Sequence, residues 1–267
     1  MRIELDGFEA YYEELGSGPP VVLVHGLGAS TAIWGKVVPR LSEDFRVITY
    51  DLRGLCRSET PAPPYSLDML VADLHGLVDG LGLERAGLVG HSLGGAIVLA
   101  YAIEHPERVS ALVGVSAPSF TTQEQRVILA ERAEAARRDG MATVSELHAA
   151  GGLPEAFKTA HPGDTAVYMG IIAGGDPEGY AALCGVTGAL DLAAAGLRGI
   201  RAPVLLVEGE LDSIVTPEAV RATASKIPHC EYVELQGCGH IVPFERPDDL
   251  IALVREFIGR SAELAVA

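Results

Sequence analysis

Leu88-Val-Gly-His-Ser-Leu-Gly-Gly95 is the stretch that decides the architecture. Before it, Ala86 to Gly90 is short, apolar and glycine-containing, the pattern of a strand buried on both faces. After it, Ala96 to Glu104 reads as a helix. The serine at the junction, Ser92, sits in G-x-S-x-G, with Gly90 and Gly94 on either side. A turn that sharp forces Ser92 into strained backbone angles. Only small neighbours let the strand and helix backbones come close enough to make it. The hydroxyl is then thrust out at the carboxyl end of a sheet. The helix N-terminus behind it favours any negative charge that develops there. A Gly/Ser-rich turn with a helix-capping serine would share the letters. The strand–motif–helix context favours the reactive serine.

Working outward, the same strand pattern recurs. Val21 to Val24, Arg46 to Tyr50, Val109 to Val115, Pro203 to Val207 and Cys230 to Leu235 are apolar runs bounded by turn residues. Alternation from Ile3 to Tyr12 around Asp6-Gly7 predicts a hairpin. Between the runs, Leu67, Leu70, Val71, Leu74, Leu77, Val78 and Leu81 follow helical spacing, as do Leu250, Ile251, Val254, Phe257 and Ile258. Strands alternating with helices predict an α/β fold, a mostly parallel twisted sheet flanked by helices, with ligands at the strands' carboxyl ends. One block breaks the alternation. From Pro118 to Arg201 the patterns are helical: Thr121 to Arg138, Ala142–Ala149, Asp164–Ile172 and Pro177–Ala189. It is too long for a plain connection. The expected organisation is a core of residues 1–117 and 202–267 with a helical cap, 118–201, inserted between. The tail Ser261–Ala267 reads as frayed.

A serine hydroxyl needs a base to take its proton. His240 stands in Gly237-Cys-Gly-His-Ile-Val-Pro-Phe-Glu-Arg-Pro247, a glycine-rich loop between the last strand and the last helix. The base needs a carboxylate on its other nitrogen. Pro203 to Val207 runs into Glu208-Gly-Glu-Leu-Asp212, and Asp212 is chosen, with Glu210 as the reserve. The chain order serine, acid, histidine is consistent with this. Two backbone N–H groups must receive the oxyanion. Leu93 follows the serine, and Leu27 lies in the loop His25-Gly-Leu-Gly28 after the first buried strand. His25 is read as shaping that loop. Such a set performs acyl transfer to water and needs neither metal nor organic cofactor. Phe120, Phe157, Tyr168, Met169 and Tyr180 are candidate pocket residues in the cap. Arg126, Arg132, Arg137 and Arg138 read as the surface of an amphipathic helix.

Composition narrows the partners. Twenty basic residues against 36 acidic give −16, a field that repels phosphate backbones and argues against nucleic acid. No apolar run approaches the roughly 20 residues of a membrane span, and the N-terminus lacks a signal-peptide pattern. Cys56, Cys184, Cys230 and Cys238 are scattered, with no metal-ligand spacing, which points to reduced thiols in a cytoplasmic protein. Oligomeric state is left open.

Together, His25-Gly-Leu-Gly28, Tyr50-Asp-Leu-Arg-Gly54 with Arg57-Ser58, Gly90 to Gly95, Gly209-Glu-Leu-Asp212 and Gly237-Cys-Gly-His240 with Glu245-Arg-Pro247 resemble the α/β-hydrolase superfamily. Asp176-Pro-Glu-Gly-Tyr180, Asp191-Leu192 and Leu197 to Pro203 are most similar to its small bacterial branch of carboxylesterases and 3-oxoadipate enol-lactone hydrolases. The resemblance implies a serine hydrolase acting on a small-molecule ester or lactone. It also implies rivals on the same scaffold: a carbon–carbon bond hydrolase of ring-cleavage products, a cofactor-free haloperoxidase or perhydrolase, and a slow-turnover ligand receptor. Epoxide hydrolases and haloalkane dehalogenases carry an aspartate where Ser92 stands. The chain departs from its relatives at Leu55-Cys56, where many carry His-Gly in a loop expected to lie away from the triad. It also has no tryptophan in the cap. Its only one, Trp34, is expected to pack behind the oxyanion loop.

Overall fold

The structure is a computed structural model that describes residues 1–192 and 196–266. Residues 193–195 of the 118–201 block, and Ala267, lie outside it. The chain opens with β1 (Arg2–Leu5) and β2 (Phe8–Leu15), a hairpin in which Leu5 pairs with Phe8 across Asp6-Gly7. There follow β3 (Pro20–Val24), a short helix α1 (Val38–Leu41) and β4 (Arg46–Tyr50). Next come α2 (Leu67–Gly80), β5 (Ala86–His91), α3 (Leu93–Glu104) and β6 (Val109–Val115). Five helices then run in succession: α4 (Gln123–Asp139), α5 (Met141–Gly152), α6 (Glu155–Ala160), α7 (Pro162–Ala173) and α8 (Pro177–Gly188). The chain returns to the sheet as β7 (Val204–Gly209), α9 (Pro217–Ala224) and β8 (Cys230–Leu235). It finishes with α10 (Val242–Glu245) and α11 (Pro247–Val266). The last helix thus continues through most of the tail expected to fray.

The strands form one eight-stranded sheet in the order β1-β2-β4-β3-β5-β6-β7-β8. β1/β2 and β2/β4 are antiparallel and all other pairs parallel. The parallel strands can be solidly apolar because helices cover both faces. β5 and β7 are buried at every residue. α3 packs on β3, β5, β6 and α2, and most of its residues are buried, so its apolar residues show no one-sided pattern. The chain runs from β3 out to β4 and then crosses back to β5 on β3's other side. That reversal opens a crevice at the carboxyl ends of β3 and β5, where α/β sheets take their ligands.

The described residues of the 118–201 block are mainly helical, as the sequence predicts, with one isolated strand-like bridge among them, Phe120 with Asp191. α4 begins two residues after the predicted Thr121. Thr122 accepts from the Gln125 N–H while Gln125 returns a bond to the Thr122 backbone, which satisfies two free donors of the first turn. α4 packs on α8, and α5 on α7. α6 is absent from the sequence reading: it is a six-residue helix with no fully buried residue, so it leaves no apolar period to detect.

Candidate active site

Ser92 occupies the junction of β5 and α3 with φ 53° and ψ −120°, a backbone region that L-residues avoid. Surroundings hold it there. Its N–H donates to Val115 O at 2.9 Å. A Cβ on Gly90 would stand 2.3 Å from Gly94 O, and one on Gly94 would stand 2.1 Å from Val24 O. Both glycines are therefore required by contact, as the motif predicts. Gly26 is also tightly placed, since a Cβ there would meet Ser92 Cβ at 2.9 Å. The loop after β3 thus runs directly against the serine and puts Leu27 on the wall of the same cavity. Leu93 is the first residue of α3. Neither the Leu27 nor the Leu93 N–H has a backbone acceptor among the described residues, leaving both available.

The structure brings the three widely spaced residues into one line. His240 Nε2 lies 3.0 Å from Ser92 Oγ, and His240 Nδ1 lies 2.6 Å from Asp212 Oδ2. In the neutral ring, Nδ1–H donates to the carboxylate and leaves Nε2 to accept the serine proton. Asp212 Oδ1 accepts the N–H groups of Ile214 and Val215 at 2.8 and 3.0 Å, fixing the carboxylate plane. Burial alone would raise the Asp212 pKa. The imidazole's charge and hydrogen bond, with further hydrogen bonds from Glu208 and Val215, outweigh burial and hold it below the usual carboxylate range. Glu210 points elsewhere: it is exposed and accepts the Gly237 N–H at 2.8 Å. Glu208 is wholly buried. Its Oε1 takes the Ser116 hydroxyl at 3.1 Å and the Gly209 N–H at 2.8 Å, and burial, then the Asp212 charge, push its pKa well up.

Two supports of His240 escaped the sequence reading. His91, the variable residue of the motif, donates Nε2–H to His240 O at 2.9 Å. Its pKa is pushed down to about 3 by burial and then by the neighbouring His240. Glu245 spans the loop with both oxygens, accepting Gly239 N–H at 2.7 Å and Ile241 N–H at 2.9 Å. The only sequence signal for either was its place within a quoted motif. His25 does shape its loop. Nδ1–H donates to Gly26 O at 2.8 Å and Nε2 accepts the Leu52 N–H at 3.0 Å, so both ring nitrogens are occupied by backbone. Trp34 is fully buried, edge-on to His91.

A cavity of about 240 Å³ opens over Ser92 beneath the helices between β6 and β7. Of the five aromatic and methionine candidates, Phe120 and Tyr168 line it; Phe157, Met169 and Tyr180 do not. Tyr180 lies one layer behind, its hydroxyl 2.8 Å from Nε2 of the lining His148. Burial, then the positive charges of Arg132 and His240, push His148 down to about 3. Arg132 corrects an expectation. Read from sequence as helix surface, it is half-buried and lines the cavity, with Nη2 reaching toward the space a side chain on Gly151 would fill. Leu129, one turn earlier on α4, lines the cavity too and turns this face inward. Among the described residues no carboxylate or other acceptor pairs with Arg132, and no Asp or Glu lines the cavity. Neither Leu55 nor Cys56 lines this cavity; Cys56 Sγ is 3.8 Å from Ala29 O, just past the His25–Gly28 loop. Among the described residues no three His, Cys, Asp or Glu are grouped to hold a metal ion, and no helix is long and apolar enough to cross a membrane.

Comparison with known proteins agrees with this fold. An enol-lactonase from Burkholderia xenovorans LB400 superposes with a TM-score of 0.92 at 31% identity, covering 97% of this chain and 100% of that one. A thermophilic esterase from Thermogutta terrifontis, solved with malate bound, gives a TM-score of 0.91 at 28% identity over 98% and 99%. A 2-hydroxy-6-oxo-2,4-heptadienoate hydrolase of Pseudomonas putida is 29% identical over 94% of this chain and 93% of its own. The family model described as alpha/beta hydrolase fold matches residues 19–247, from the start of the parallel sheet to the loop that carries His240. The chain belongs to the alpha/beta hydrolase fold family.

Proposed function

We propose that this protein is a serine hydrolase that cleaves a small carboxylic ester or lactone through an acyl-enzyme. The observation that carries the reading is the continuous chain from Ser92 Oγ through His240 to Asp212. Ser92 attacks the carbonyl as His240 Nε2 takes its proton, and Asp212 stabilises the imidazolium that forms. The Leu27 and Leu93 N–H groups receive the oxyanion. His240 then passes the proton to the leaving alkoxide, and water repeats the sequence on the acyl group. Residues 118–201 serve as the cap that roofs this chemistry. In the Ser92→Ala variant, ester turnover is expected to fall by several decades, on the order of 10⁶. Labelling by a fluorophosphonate should disappear with it. Near-normal turnover would defeat the reading, and absent labelling of the native protein would favour a binding protein instead.

The cavity's charge narrows the substrate. A guanidinium without a partner among the described residues, on a wall whose described residues include no acid, suits an ester or lactone that carries a carboxylate of its own. The malate in the Thermogutta esterase and the dienoate in the Pseudomonas enzyme's name are carboxylates as well. For p-nitrophenyl hydrogen glutarate against p-nitrophenyl valerate, the ratio of kcat/KM should favour the acid. In Arg132→Gln it should drop about tenfold or more, since a hydrogen bond to a charged group contributes about 1.5–3 kcal/mol. An unchanged ratio would remove Arg132 from recognition. The Pseudomonas relative favours one second reading, hydrolysis of a carbon–carbon bond in a dienone acid. Assaying such acids beside the esters decides between them.

A further inference from the structure

Glu208 is a carboxyl group that the reaction above leaves without a task, and its surroundings define its state. It is the penultimate residue of β7, at 0% exposure and four residues before Asp212. Its two oxygens are treated differently. Oε1 accepts two hydrogen bonds, from Ser116 and Gly209. Oε2 receives no N–H or O–H from any described residue. Among the described residues, the titratable groups that interact with it are Asp212, Tyr232 and Cys238, none of them a cation at neutral pH. Of these, Asp212 is the neighbour whose charge bears most on the Glu208 carboxyl, and Glu208 in turn helps to hold the Asp212 carboxyl low. Two ionised carboxylates could share no hydrogen bond, because neither would hold a proton to donate. An anion here would also be buried beside a second anion with one oxygen unsolvated, among the most costly arrangements a protein interior can hold.

A proton on Oε2 resolves each of these facts. Oε1 then behaves as the carbonyl oxygen that its two donors imply, and the otherwise unpartnered Oε2 gains a proton that it can donate. Asp212 is the group left charged, because His240, Ile214 and Val215 already donate to it. We propose that Glu208 is a neutral carboxylic acid whose Oε2–H donates to the Asp212 carboxylate, making it a positioning residue for His240. It completes the set of donors around Asp212, holds the rotamer that points Oδ2 at Nδ1, and draws off part of the charge that sets the basicity of the imidazole.

This rests on Asp212–His240 acting as the base, and the test keeps the two ideas separable. Glu208→Leu removes the donor in nearly the same volume. Glu208→Gln keeps one, since the amide N–H can stand where the acid O–H stood. Leucine is expected to lower kcat at least tenfold with a smaller change in KM. It should also move the acid limb of the kcat/KM profile to higher pH, because an Asp212 relieved of a donor is a stronger partner for the imidazolium. Glutamine should recover most of both losses. The opposite state gives the opposite sign: if Glu208 were ionised, glutamine would remove an anion beside the pair and carry the acid limb down by about one pH unit. Infrared spectroscopy at neutral pH reads the proton without turnover. The native protein should show a buried protonated-carboxyl band that Glu208→Gln lacks, even should Ser92 prove not to be the nucleophile or Glu208→Leu fail to fold. A downward shift in the glutamine variant, a native spectrum without that band, or a leucine variant with native kcat and pH profile would each overturn the proposal.

Discussion

Asp212 and Glu210 are two residues apart, and a turn can present either one. The histidine selects Asp212, at 2.6 Å, while Glu210 faces the Gly237 N–H. Asp212→Asn should therefore lower kcat by about 10⁴, because an amide cannot hold the ring in the productive tautomer. Glu210→Gln should change kcat by no more than about twofold, with steady-state kinetics on one ester sufficient for both. Ser92 and His240 were legible in the sequence as candidates because each stands in a glycine-rich turn after a strand, in the chain order serine, acid, histidine. Asp212 was legible only as one of a small group, since choosing among turn carboxylates requires knowing which one reaches the ring. Arg132 was not legible at all. Helical spacing shows which residues share a face, but a face turned to a cavity and a face turned to water both tolerate a charge. Cys56 shows the same gap from another side. Its φ of 52° is a conformation in which glycine is at ease, which matches the glycine many relatives carry there.

Among elements, strands were legible from apolar runs and the longer helices from their period, but contacts between elements were not. α8 meets the core through Gly179. A Cβ there would stand 1.8 Å from Gly54 O, so the first turn of the helix rests on the loop after β4 backbone to backbone. Gly179 lies inside Asp176-Pro-Glu-Gly-Tyr180, quoted as a family likeness with no physical reason attached. The reason is this seat. Gly179→Ala should force the two apart and cost about 1–3 kcal/mol, the usual range for overpacking. A lower denaturant midpoint would show it. The neighbouring Tyr180 packs on Gly28 of the oxyanion loop, so the same variant should also raise KM.

At the scale of the whole molecule, the buried titratable groups shape stability against pH. His91 and His148 have folded pKa values near 3, below their ordinary 6.5. Between these limits the unfolded chain binds more protons, so stability is full above pH 6.5 and is lost as pH falls toward 3. Each contributes a slope of up to about 1.4 kcal/mol per pH unit. Glu208 has the opposite sign. Its folded pKa is raised, so its contribution is full below its ordinary 4.5 and declines as pH rises. Urea midpoints should accordingly peak slightly acid of neutrality. His148→Gln should flatten the acid side by about one proton, and a flat profile in the native protein would refute the assignment. None of this was legible in the sequence, where eight histidines differ only in their neighbours and not in their burial.

The acid-free cavity wall around Arg132 has a further meaning against the chain's net charge of −16. A carboxylate approaching from solution meets a repulsive hill before it reaches an attractive well. The hill is broad and lies in water, where dissolved ions flatten it. The well is local and partly enclosed, where they reach it less. Selection for an acidic substrate would then be exercised at short range, after entry and not during diffusion. Salt would quicken arrival more than it loosens the hold.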